Sequence, residues 1–122
     1  TIHNKTIKNP EDVVLYFMEK LKDLKKEHFF AIYLNSKNKI IGEKLISVGT
    51  INHSLVDHRE IFKEAFKYNA NAFVLVHNHP SGDPKPSPED IEITKKIKEC
   101  GKVTDIELLD HIIIGKDDWA QC

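Results

Sequence analysis

Only two cysteines occur in the 122 residues, Cys100 and Cys122, and they form no Cys-x-x-Cys pair. That leaves no disulfide framework to read, and a reducing cytoplasm is the expected compartment. No apolar run approaches the roughly 18 residues of a membrane span, and no signal peptide is expected at the start, so no membrane partner is predicted. Charge of one sign is also missing. Lysine plus arginine number 18 against 19 acids, for a formal net charge of -1. A nucleic-acid-binding domain usually carries a basic excess on one face. The lysines that do cluster, Lys20-Lys22-Lys25-Lys26 and Lys95-Lys96-Lys98, alternate with apolar residues at helical spacing. Glu19, Asp23, Glu27, Glu92 and Glu99 interrupt them, so they read as solvated helix faces. What remains is an ordinary composition, 40% hydrophobic and 30% charged, on a chain long enough for one domain that buries about two thirds of its unfolded surface.

Against that plain background, His77-Asn78-His79-Pro80 stands out, at the end of the apolar run Ala72-Phe73-Val74-Leu75-Val76. Side chains on an extended segment repeat every two residues, so the two imidazoles can share a side. Pro80 disfavours helical geometry at His79 and keeps it extended. Asp90 follows in the first turn of a new element and can supply an oxygen. Two neutral imidazoles and one carboxylate, with a fourth position left to water, form the ligand set of a catalytic zinc site. A structural zinc site takes four protein ligands, usually with thiolates among them, and none stand nearby.

The full pattern, His77-x-His79-Pro80, six residues, Ser87, two residues, Asp90, resembles the JAMM (MPN+) metalloprotease signature at every position. The wider context, HNHPSGDPKPSPEDIEITK followed by ELLDHIII, with GTINHSLVDHREIFKEAFKYNA and LNSKNKIIGEKL upstream, is similar to the RadC family over roughly residues 10–118. That family was historically labelled for DNA repair. The resemblance implies a zinc-dependent hydrolase in which a metal-activated water attacks an amide or isopeptide bond. It makes His77, His79 and Asp90 the metal ligands. It also implies a glutamate from an earlier strand as general base, and Glu43 is the residue expected to fill that role. On the strand Ile41-Glu43-Leu45-Ser47, the carboxylate would lie between aliphatic side chains, where partial desolvation raises its pKa toward a useful value. Ser87 has two competing jobs, capping the following helix and donating to the oxyanion of a tetrahedral intermediate. His111 or Asp110 is a candidate to fix a ligand imidazole, with a satisfied core polar group the simpler reading.

Periodicity gives the organisation. Asn9-Pro10-Glu11-Asp12 starts a helix, and Val13, Val14, Phe17, Met18, Leu21 and Leu24 mark its core stripe. Residues 28–34 and 39–48 are strands joined by a hairpin turn at 35–38. Asp57 and Glu60 form a capping box for a helix carrying Ile61, Phe62, Ala65 and Phe66. Residues 71–77 are a strand buried on both faces. Ser87-Pro88-Glu89-Asp90 starts a helix that Gly101 ends, and residues 106–114 are the last strand. The order αββαβαβ predicts one α/β domain, residues 1–122, with a mixed sheet flanked by helices. The JAMM/MPN-like, cytidine-deaminase-like architecture is of that kind. The chain begins with Thr, and a C-terminal portion of a longer protein is the expectation.

Two other chemistries are set aside. A zinc deaminase needs His-x-Glu and Pro-Cys-x-x-Cys, and this chain has no such cysteine pair. The letters HNH are adjacent here, whereas HNH nucleases spread those residues over a ββα unit. The alternative to an enzyme is a DNA-repair accessory or interaction module whose metal is not catalytic. Expected partners are a protein or peptide substrate, with no strong nucleic-acid binding, and self-association is left open. An anisotropy titration near 150 mM salt should therefore give a DNA dissociation constant no tighter than about 10⁻⁶ M. Tighter, steeply salt-dependent binding would favour the repair module.

Overall fold

The computed structural model describes residues 4–122. In chain order the elements are α1 (Pro10–Leu21), β1 (His28–Leu34), β2 (Ile40–Val48), α2 (His58–Lys67), β3 (Ala72–Asn78), α3 (Pro88–Thr104), β4 (Glu107–Ile114) and β5 (Trp119–Gln121). The sheet runs β2-β1-β3-β4-β5. β3 and β4 pair in parallel, and the other neighbours are antiparallel. A mixed sheet follows from the connections: β1 and β2 form a hairpin, while α3 supplies the crossover that a parallel pair needs. The short β5, absent from the sequence reading, adds an edge strand after a tight turn.

Each face of the sheet carries its own core. Val13, Phe17 and Leu21 of α1 pack on Phe30, Ile32, Val74 and Val76. On the other face, Ile61 and Ala65 of α2 and Ile93 and Ile97 of α3 pack on Phe29, Ala31, Phe73 and Leu75. β3 is therefore buried at every position, which explains its unbroken apolar run.

Two local expectations change at helix ends. Asp57 caps α2 by accepting from the Arg59 backbone N–H, and its carboxylate also pairs with the Arg59 guanidinium. The reciprocal bond from Glu60 is not what closes this helix start. Gly101 does not end α3. The helix continues to Thr104 and stops at Asp105, whose left-handed φ of 58° provides the C-cap. Gly101 instead admits the returning chain: a Cβ there would lie 2.5 Å from the Ile106 carbonyl oxygen. Glycine-to-alanine in a helix interior normally stabilises by about 1 kcal/mol. Here Gly101→Ala should lower stability by roughly 1–3 kcal/mol, the usual effect of overpacking, and urea unfolding would read the sign. A gain in stability would mean that the close approach relaxes freely.

β2 is irregular. Its register against β1 shifts between Phe29 and Phe30 and again between Tyr33 and Leu34. Each shift breaks the two-residue alternation on which the placement of Glu43 depended.

Candidate metal centre

His77 is the penultimate residue of β3 and is fully buried, its ring stacked at 5.6 Å on Phe29 across the strand pair. One ring nitrogen, Nδ1, lies 2.8 Å from Nε2 of His111. The other, Nε2, has no hydrogen-bond partner among the described residues. It faces Asp90 Oδ1 at 3.2 Å, out of line for a hydrogen bond. His79 follows the strand end, and its backbone N–H donates to the Ile114 carbonyl at 2.9 Å, which prolongs the extended geometry. Its Nδ1 donates to the Asp83 carbonyl at 2.9 Å, and its Nε2 lies 2.9 Å from Asp90 Oδ2. A carbonyl can only accept, so Nδ1 carries hydrogen, and Nε2 is the nitrogen that faces the carboxylate, donating to it when protonated and offering its lone pair to a cation when not.

Asp90 is the third residue of α3 and is 1% exposed. The Ser87 backbone N–H donates to Oδ2 at 2.8 Å, and the Asp90 N–H donates to Ser87 Oγ at 3.1 Å, a reciprocal capping box. Burial alone would raise the Asp90 carboxyl pKa, but the His77 and His79 imidazoles outweigh it and hold the group well below the usual carboxylate range. The same Asp90 contact raises the pKa of His79 against the opposing effect of burial. Burial, reinforced by the neighbouring His77, pushes the pKa of His111 well below that of an ordinary histidine.

The loop between His79 and α3 is anchored by backbone. Gly82 donates to the His79 carbonyl at 2.9 Å, and the Gly82 carbonyl accepts from Lys116 at 3.0 Å. Gly82 sits at φ 92°, a conformation that favours glycine. Gly115 is needed opposite it, because any Cβ there would collide with the Gly82 carbonyl.

These residues fit a cation. A tetrahedral ion with bonds of about 2.0 Å holds its ligand atoms about 3.3 Å apart, and the Asp90 oxygens lie 3.2 and 2.9 Å from the two imidazole Nε2 atoms. An orphaned, buried nitrogen aimed at this point is costly unless something fills it. The group has an open side. A cavity of about 540 Å³ is lined by Glu27, Thr50, Ile51, Asn52, His79 and Ser87 among others.

The carboxylate on that open side is Glu27, not Glu43. Ligand atoms of Glu27, His77 and His79 all lie within 4.8 Å of one another. Glu27 precedes β1, and its position follows from register: Phe29 pairs with His77, so the residue two earlier falls level with His79. Its Oε2 accepts from the Ile51 backbone N–H at 3.1 Å, and its carbonyl accepts from Gly49 at 2.8 Å. Asn78 holds the same segment from the other side. Its Oδ1 accepts from the His28 N–H at 2.7 Å, and its Nδ2 donates to the Lys26 carbonyl at 3.0 Å. The residue between the two histidines thus faces away from them and clamps the backbone on both sides of Glu27.

Glu43 pairs with Ile32, which belongs to the α1 core, and its carboxylate meets Lys20 of α1 at 2.9 Å. Phe29 and His77 lie on the opposite face, so Glu43 is on the far side of the sheet from the histidines. Ser87 is where the sequence places it, and its two jobs are compatible. Its oxygen accepts from Asp90, which leaves its single hydrogen free to donate toward the cavity.

A family model described as "RadC-like JAB domain" matches residues 7–121. Among curated proteins, a UPF0758 protein of Bacillus cereus is 54% identical over 110 residues, covering 90% of this chain and 49% of that protein. A UPF0758 protein of a Geobacillus species is 56% identical over 114 residues, covering 93% and 50%. The chain therefore spans about half the length of these relatives. With the match running through all five strands and the whole histidine–aspartate cluster, the chain belongs to the RadC-like JAB domain family.

Proposed function

We propose that the domain is a zinc-dependent hydrolase that cleaves an amide or isopeptide bond in a protein or peptide, in a cytoplasmic setting. The observation that carries this reading is the orphaned Nε2 of buried His77, aimed beside Asp90 and His79 at a point open to the Glu27 cavity. His77, His79 and Asp90 would hold the ion, leaving one position for water or substrate. A zinc ion there supplies Lewis-acid chemistry, acidifying a water and polarising a carbonyl.

The remaining work falls to the chain's own groups. The Glu27 carboxylate accepts the proton of the attacking water and returns it to the leaving amine. Its bond from Ile51 fixes one oxygen and leaves the other for the water. Ser87 Oγ donates its hydrogen to the oxyanion as the carbonyl carbon becomes tetrahedral. The Asn78 clamp keeps Glu27 level with His79 while this proton moves. The test is a zinc-loaded protein against a fluorogenic peptide library. Turnover should disappear with a chelator and in Glu27→Gln. Turnover that survives both would contradict the hydrolase reading.

A further inference from the structure

His111 and Thr94 have no part in the chemistry above, yet they are joined to His77 in one chain of contacts that runs from half-buried Thr94 to the buried histidine pair. His111 lies on β4 opposite Leu75, on the same face as His77, and is 1% exposed with its ring edge-on to Phe29. Its Nε2 meets His77 Nδ1 at 2.8 Å, and its Nδ1 meets Thr94 Oγ1 at 2.5 Å. Thr94 is one helical turn beyond Asp90, and its hydroxyl lies 2.6 Å from the Asp90 carbonyl.

Counting protons gives this chain a direction. A hydroxyl has one hydrogen, and a carbonyl oxygen can only accept it. Cys122 Sγ, 3.3 Å from the same hydroxyl, is a weak and more distant acceptor. The Thr94 hydrogen therefore goes to the Asp90 carbonyl, and Oγ1 must accept from His111 Nδ1–H. With its hydrogen on Nδ1, His111 turns a bare Nε2 toward His77 and accepts from His77 Nδ1–H. The hydrogen on His77 is thereby placed on Nδ1, and its Nε2 carries a lone pair directed at the point shared by Asp90 and His79. The opposite polarity would put a hydrogen on Nε2, where the Asp90 oxygen is out of line and no other described residue accepts it.

We infer that Thr94 and His111 are positioning residues that act through His77, a relay of fixed hydrogen-bond polarity that sets its tautomer and keeps Nε2 ready for a metal ion. The inference rests on the metal-site reading for its purpose, but the tautomer itself is a property of the metal-free protein. Partners that orient ligand imidazoles in this way are commonly worth 10–100-fold in metal affinity.

The test uses Thr94→Val, which keeps the shape and removes the hydroxyl, beside Thr94→Ser, which keeps the hydroxyl. Long-range ¹⁵N–¹H NMR of the metal-free proteins reads the histidine tautomers, and chelator competition reads zinc affinity. Wild type and Thr94→Ser should show His77 as the Nδ1–H form. Thr94→Val should show a mixture or the Nε2–H form and bind zinc at least about tenfold more weakly, at an unfolding midpoint close to that of Thr94→Ser. A merely structural threonine would move the midpoint and leave the tautomer alone. An Nε2–H form in wild type, or a Thr94→Val protein with unchanged tautomer and affinity, would overturn the relay. If wild type takes up no zinc, the metal reading fails, while the NMR result still decides the relay.

Discussion

Protein prepared with zinc should carry about one equivalent of the ion, and His77→Ala or Asp90→Ala should carry essentially none. Three side chains would supply the donors, so losing one would leave two, too few to hold an ion against a chelator. The two variants differ in a useful way. His77→Ala opens a cavity under Phe29 and breaks the contact to His111. Asp90→Ala removes the acceptor of the Ser87 N–H at the start of α3. Their structural costs are therefore unrelated, and a shared loss of metal points to shared coordination. Elemental analysis after dialysis gives the answer, and full occupancy in both variants would dismiss the three-residue site.

The second large effect separates two glutamates. Glu27→Gln keeps the size of the side chain and removes its basicity. Hydrolysis should fall about 10²–10⁴-fold, the usual contribution of a positioned general base, with the zinc content unchanged. Glu43→Gln should leave turnover within about twofold. It breaks one partly exposed ion pair with Lys20, an interaction of a kind worth roughly 0.2–1 kcal/mol to stability. Unchanged turnover in Glu27→Gln with loss in Glu43→Gln would reverse the assignment made from the sheet faces.

The contrast between those glutamates shows where the sequence is readable. His77, His79 and Asp90 could be grouped from local rules alone: a two-residue period on a strand, a proline that holds it extended, and a helix start a short loop beyond it. The structure brings these three side chains together. The apolar periods of α1, β1 and β3 were likewise plain. The carboxylate beside the histidines was not, because its place depends on pairing between distant strands. Glu43 has a suitable neighbourhood on paper, but two register shifts in β2 and the sheet's two-sidedness turn it toward α1. Glu27 sits in a polar, lysine-rich stretch that reads as a helix face, and only the pairing of Phe29 with His77 brings it to the site. Gly101 misled for a related reason. Glycine marks a helix end when it adopts a left-handed conformation, whereas here it makes room for Ile106. β5 was too short to show any period.

The most direct measurement is a crystal structure of the zinc-loaded protein with anomalous data collected at the zinc edge. One strong peak is expected about 2.0–2.2 Å from Nε2 of His77, Nε2 of His79 and an Asp90 oxygen, with a fourth, non-protein position facing the Glu27 carboxylate. A peak elsewhere, such as between His53 and Glu92, would contradict the site, and a fourth protein ligand closing the position beside Glu27 would contradict the catalytic reading.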